Sequence, residues 1–260
     1  MFYKSVIKDH LIWLNDAGRN SFYQELITAN CKDKICVDVG AGTGILTDYA
    51  LGAGASKIYC VEVRKARANF LREKYQNKNV TIIEEDFLKT KIDNADIFFL
   101  EQIGYQFDND FSLKKFMSHI KKNNPNAITL PNRYLIKAYI FDGLIEEQPN
   151  MLIDSKYLPA GFYKHCQTQL SIVPTETLTV YELNKDNVDL DVQFTLDLSH
   201  YKDCTIFFDD DVYFNNVRCE YENIYRDWPQ KPYKIYLEDC KSFFNFKFVN
   251  NKFSFFKNFP

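Results

Sequence analysis

One segment constrains this chain more than any other: Ile35-Cys36-Val37-Asp38-Val39-Gly40-Ala41-Gly42-Thr43-Gly44-Ile45-Leu46. An apolar run of this length reads as a buried parallel strand, and it breaks into a glycine turn and an apolar helix start. Without Cβ atoms, Gly40 and Gly42 let the backbone turn tightly and approach a ligand closely. A second apolar run, Lys57 to Val63, carries Glu62 eighteen residues after Gly44. In a doubly wound sheet that carboxylate sits at a strand's C-terminal end, within reach of a ribose diol. A dinucleotide fingerprint needs a third glycine where Ile45 stands. The spacing therefore argues against NAD and for S-adenosylmethionine. The alternative is a bare structural turn.

Up to Pro131, strands alternate with helical patterns. Strands are expected at Lys34–Val39, Lys57–Val63, Asn79–Glu84 and Ala95–Glu101, with helices at Ile45–Leu51, Lys65–Tyr75 and Phe111–Lys122. Such alternation implies βαβ units and a Rossmann-like parallel sheet. Beyond Pro131 come short alternating strands, at Tyr134–Phe141, Leu178–Leu183, Val192–Leu198, Thr205–Phe208, Tyr233–Leu237, Phe244–Val249 and Phe253–Phe256. This half reads as an antiparallel barrel or sandwich. Its many aromatics (23 Phe and 17 Tyr in the whole chain) suit a β-rich core. The expected division is 1–131 and 132–260, the two parts packing as one body.

Composition narrows the partners. The 260 residues are 46% hydrophobic and 26% charged, as in ordinary globular proteins. A net charge of -3 gives no support to a nucleic-acid binder, which carries a basic excess. Seven cysteines form no CxxC pair, which points to a reducing compartment and to no disulfide framework or metal site. No signal peptide opens the chain and no apolar run reaches membrane length. A cytoplasmic protein without a membrane partner is expected.

A second site begins at Leu100-Glu101-Gln102-Ile103-Gly104-Tyr105. Glu101 leaves an apolar run at the sheet's carboxyl edge, and Asp110 follows across a loop of fitting length. Two acids over one pocket can grip a guanidinium in the bidentate manner arginine favours. A strand-end glutamate before a polar loop is the plainer alternative.

With these residues in place, the chain resembles the protein arginine methyltransferases. The likeness rests on five motifs in order: the glycine segment through Thr43-Gly44-Ile45-Leu46, Ala53-Gly54-Ala55 and Val61-Glu62; and Glu101 to Tyr105 as a double-acid loop, with Asp110 at the second acid. The others are His10, Leu14, Asp16, Arg19 and Tyr23 on a preceding helix; Leu130-Pro131-Asn132-Arg133 as a hinge; and Asp227-Trp228-Pro229-Gln230 at a threonine-histidine-tryptophan motif. The resemblance implies an α/β fold: a methyltransferase domain of the seven-stranded Rossmann-like type, with an N-terminal helix, followed by an antiparallel β-barrel-like domain.

It also implies a chemistry. Arg19 would fork onto the methionine carboxylate of S-adenosylmethionine, Glu62 would take the ribose hydroxyls, and Gly40 and Gly42 would close on the methionine and ribose. Asp86 and Phe87 would meet the adenine amine and ring, as in the wider methyltransferase class. Glu101 and Asp110 would be catalytic, holding and polarising an arginine guanidinium, with Tyr105, Asp16 and Trp228 around the acceptor. Apart from the resemblance, Arg19 reads as an amphipathic-helix arginine and Tyr105 equally as a structural tyrosine.

Three departures stand out. Asp110 is one methylene shorter than the family's glutamate. Asp227 replaces a histidine that in the family pairs with an aspartate at the position of Asp16. Only nine residues precede His10, so most of the family's aromatic lid segment is expected to be missing, and 142–169 is expected to be short for its dimerisation arm. Three functions follow as expectations: an arginine N-methyltransferase acting on a protein or peptide, the same chemistry on free arginine or another small guanidino compound, and a noncatalytic cofactor-binding regulatory partner. A homodimer would have a shortened arm.

Overall fold

The computed structural model describes residues 14–101, 112–143, 152–153, 171–172, 175–188, 192–201, 203–219, 233–236, 243–249 and 252–258. Five strands form a parallel sheet: β1 (Ile35–Val39), β2 (Lys57–Val61), β3 (Val80–Ile83), β4 (Ile97–Leu100) and β5 (Ile128–Leu130). Their order is β3-β2-β1-β4-β5. The chain therefore steps outward from β1 in one direction and returns to β1's other side with β4, which opens a crevice at the strands' carboxyl ends. Register makes this concrete: Val39 pairs with Val61 on one side and Leu100 on the other. Gly40, Glu62 and Glu101 thus leave three adjacent strands at the same edge.

Among the described residues four α-helices accompany the sheet: α1 (Ala17–Asn30), α2 (Ile45–Gly52), α3 (Lys65–Lys74) and α4 (Ser112–Asn123). α1 begins where the Asp16 carboxylate accepts from the Arg19 N–H at 2.9 Å, and it buries Phe22, Tyr23, Leu26 and Ile27. β1 to β4 fall where the apolar runs lie. Among the described residues the parallel sheet has five strands. β5 lies beyond α4, and after Leu130 comes Pro131, which has no N–H to extend a ladder.

From Arg133 the strands pair antiparallel, apart from β7 with β8. They are β6 (Arg133–Asp142), β7 (Leu152–Ile153), β8 (Ser171–Ile172), β9 (Glu176–Asn184), β10 (Val192–Asp197), β11 (Asp203–Phe214), β12 (Val217–Arg218), β13 (Tyr233–Tyr236), β14 (Phe243–Val249) and β15 (Lys252–Asn258). One sheet runs β12-β11-β6-β9 with β13 also on β11, and another runs β10-β14-β15; β7 and β8 form a small parallel pair. Among the described residues no sheet closes on itself. Most of 142–169 lies outside the described residues.

One core spans both halves. Leu100 and Leu130 of the parallel sheet share it with Tyr134, Leu183, Val188, Val212 and Cys219. The Tyr134 hydroxyl donates to the Leu100 carbonyl at 3.0 Å, and Lys185 Nζ donates to the Ala127 carbonyl at 2.7 Å. No described helix is long and apolar enough to cross a membrane. Tyr134→Phe removes the first bond without opening a cavity, and is expected to cost about 1 kcal/mol of unfolding free energy. Urea unfolding of parent and variant measures this, and an unchanged midpoint would contradict the bond's role.

Candidate active site

The glycine turn is built on β2. Gly40 and Ala41 both donate to the Val61 carbonyl, at 2.8 and 3.1 Å, and Gly44 donates back to Ala41 at 2.7 Å. Gly42 and Gly44 have φ of 58° and 78°, a left-handed conformation that side chains oppose. Glu62 is only 3% exposed, and its carboxylate is held by two backbone donors: Gly42 N–H at 3.0 Å on Oε2 and Arg64 N–H at 2.8 Å on Oε1. A carboxylate offers about four acceptor positions, so this fixation leaves capacity for a ligand's hydroxyls. The fold brings Gly42 and Glu62 together, and bonds within the site hold both in place.

Arg19 is 1% exposed, and its Nε and one terminal nitrogen fork onto the two carboxylate oxygens of Glu101. The other terminal nitrogen donates to Asn20 Oδ1 at 2.5 Å, and the guanidinium carbon lies 5.2 Å from the centre of the Tyr23 ring. The carboxylate expected to clamp an acceptor guanidinium is therefore already engaged with a guanidinium. Nothing in the sequence marked these two residues as a pair.

The remaining expected residues fall in different surroundings. Asp16 is buried and caps α1. Asp86 follows β3 by three residues and caps the short 3-10 turn Phe87–Lys89, accepting from Leu88 N–H at 3.0 Å. The Phe87 ring, 5% exposed, packs edge-on against Phe98, Phe116 and His119 at centroid distances of 6.0, 5.4 and 5.1 Å. Tyr105, Asp110, Asp227 and Trp228 lie outside the described residues.

Sequence reasoning passed over Asp38. Its carboxylate is buried on the central strand β1, accepts from Thr47 Oγ1 of α2 at 2.7 Å, and lies opposite Cys60 of β2. Burial pushes its pKa up to about 7, opposed by the Thr47 bond; the Glu101 anion adds to the rise and the Arg19 cation reduces it. An acid inside an otherwise apolar strand run was the available signal.

Known proteins are similar to this chain in sequence and in fold. Residues 11–122 match the model of the FtsJ-like methyltransferase family. The chain is 32% identical over 150 residues to the histone-arginine methyltransferase CARMER of Drosophila persimilis, a match covering 53% of this chain and 28% of that protein. It is 33% identical over 131 residues to the same-named protein of Anopheles gambiae, covering 46% and 20%. The chain thus matches less than a third of the length of these curated relatives. Among solved structures it is similar to PRMT6–SAH, with a TM-score of 0.61 and 15% identity over 97% of this chain and 99% of that one. It is also similar to the Trypanosoma brucei PRMT1 enzyme-prozyme heterotetrameric complex with AdoHcy, with a TM-score of 0.59 and 18% identity over 92% and 86%.

The fold is that of the class I methyltransferases. Within that class the chain is protein-arginine-methyltransferase-like, in sequence over the matched region and in fold over nearly its whole length.

The buried acid gives the site a pH signature. Unfolded, an aspartate titrates near ~4; folded, Asp38 does so at about 7. A raised folded pKa means that stability is greatest below the unfolded value and is lost as pH climbs through the folded one. Asp38→Asn is expected to flatten the fall of unfolding free energy between pH ~4 and about 7. Urea unfolding across that range tests it, and an unaltered slope would contradict the assignment.

Proposed function

We propose that this chain is an S-adenosylmethionine-dependent N-methyltransferase whose acceptor is a guanidino nitrogen of arginine in a protein or peptide. The observation that carries the reading is Glu101: at the carboxyl edge, beside the strand that bears the glycine turn, its carboxylate accepts the guanidinium of Arg19 in bidentate fashion, a pairing that an acceptor guanidinium would take over as Arg19 turns to the methionine carboxylate. That is the geometry an arginine acceptor needs.

The donor set suits the cofactor. A glycine-rich turn meets a carboxylate fixed by two backbone N–H groups, and a buried guanidinium stands at the neighbouring strand end. Glu62 would hold the ribose hydroxyls, Gly40 and Gly42 the methionine and ribose, and Arg19 the methionine carboxylate. Asp86 and Phe87 would lie at the adenine end. The bound cofactor supplies an electrophilic methyl group on a sulfonium.

The chain's own work is positioning, which can supply most of a barrier reduction. Glu101 and Asp110 would hold the acceptor guanidinium, localise its delocalised lone pair on one nitrogen and favour departure of that nitrogen's proton. Guanidinium is charged at any ordinary pH, its pKa exceeding ~12, so anionic partners are required. Tyr105, Asp16 and Trp228 would surround the acceptor. We also read 1–131 as the cofactor domain, 132–260 as a barrel-like domain, and the protein as cytoplasmic.

Two variants separate the roles. Glu62→Ala is expected to weaken cofactor binding. Glu101→Gln is expected to lower methyl transfer to an arginine-rich peptide at least about tenfold, the worth of a charge-assisted hydrogen bond. Radiolabelled transfer to peptide and to free arginine, with circular dichroism checking the fold, is the measurement. Transfer by Glu101→Gln at the parent rate would refute the clamp, and transfer to free arginine alone would reassign the acceptor.

A further inference from the structure

The glycine turn is held from a direction that no assigned residue explains. Lys74 ends α3 and Tyr75 follows it as the C-cap residue. Lys74 Nζ donates to the Thr43 carbonyl at 2.8 Å and to Asp48 Oδ2 at 2.6 Å. The Tyr75 hydroxyl lies 2.6 Å from the Gly44 carbonyl and 2.9 Å from Asp48 Oδ1. A Cβ built on Gly44 would overlap Tyr75 Oη and meet Leu71 Cδ2 at 3.0 Å, so Tyr75 occupies the space a side chain there would need. Gly44 is also the N-cap of α2, and no side chain of its own caps that helix.

We propose that Lys74 and Tyr75 are positioning residues for the cofactor: a two-residue latch that holds the carbonyl side of the glycine turn so that its shape exists before the ligand arrives. The inference rests on the reading of this turn as the cofactor's cradle. A glycine turn is the most conformationally free stretch a chain can have, and ordering it on binding would subtract from affinity. The latch removes that cost in advance. Its chemistry is suited to the task. Burial, with the Asp48 anion beside it, pushes the Tyr75 phenol well above its ordinary range, so the hydroxyl keeps its proton. That single proton is divided between the Gly44 carbonyl and Asp48, and Lys74 supplies Asp48 with a cation and further donors. The Lys74 ammonium also lies 5.1 Å from the centre of the Tyr75 ring, which ties the two latch residues together. Neither residue belongs to the set assigned to cofactor or acceptor; both act on them through backbone carbonyls.

The test uses the full chain carrying Tyr75→Phe, Lys74→Met and the conservative Lys74→Arg. Tyr75→Phe and Lys74→Met are each expected to raise the Kd for S-adenosylhomocysteine about threefold to tenfold, as loss of one hydrogen bond does. In turnover the loss falls on the cofactor KM rather than on kcat, and Lys74→Arg recovers part of it. Hydrogen exchange at Gly42 to Ile45 is expected to quicken in both disruptive variants, while the β1 amides keep their protection. Parent-like Kd in both variants would overturn the latch, and so would exchange that quickens equally in the turn and in β1, the mark of general destabilisation. If the parent binds neither S-adenosylmethionine nor S-adenosylhomocysteine, the proposed function fails, while the exchange comparison still decides the latch.

Discussion

A guanidinium can leave water only if its charge is matched, and the pairing of Arg19 with Glu101 is what much of this structure depends on. Burial of an unpaired charge costs several kcal/mol, and loss of one partner from such a pair typically costs about 3–5 kcal/mol. Here the cation belongs to α1 and the anion to the residue that follows β4. The pair therefore fixes where α1 crosses the carboxyl edge of the sheet. Tyr23 lies beneath the guanidinium, and Asp16 caps the same helix one turn earlier. One residue before Glu101, the Leu100 carbonyl receives the Tyr134 hydroxyl. The antiparallel half is thereby tied to the strand end that presents the acid.

The same edge gathers the rest of the site because of sheet topology. With β1 central and flanked by β2 and β4, the residues that follow these three strands are a glycine turn and two glutamates. The turn gains its shape from three sides: β2 through Val61, Glu62 through Gly42, and α3 through Lys74 and Tyr75. A flexible sequence is thereby made into a preorganised surface, in keeping with a task of positioning rather than covalent chemistry.

Much of this was legible in the sequence. Apolar runs marked β1 to β4 because a strand buried on both faces has no polar side to show. The alternation Tyr134, Ile136, Ala138 marked β6 because its buried positions recur every second residue over that stretch. β5 escaped because a three-residue strand carries too short a pattern to read. The extra sheet strands implied by the family likeness are not found among the described residues, where Arg133 already belongs to an antiparallel strand. Within the site, glycines and strand-end acids were visible because backbone geometry demands them. The Arg19–Glu101 pairing was not, since 82 residues separate the partners and only the fold brings them together. Asp38 bonds sideways to Thr47, and Lys74 and Tyr75 act on main-chain oxygens, which no residue pattern records.

The central claim is that the turn, Glu62 and Arg19 form a cradle for S-adenosylmethionine. Titration calorimetry of the full chain with S-adenosylmethionine, S-adenosylhomocysteine and NAD addresses it most directly. The account predicts saturable one-site binding of both sulfur ligands and no comparable heat with NAD. Tight NAD binding with no response to either sulfur ligand would contradict it.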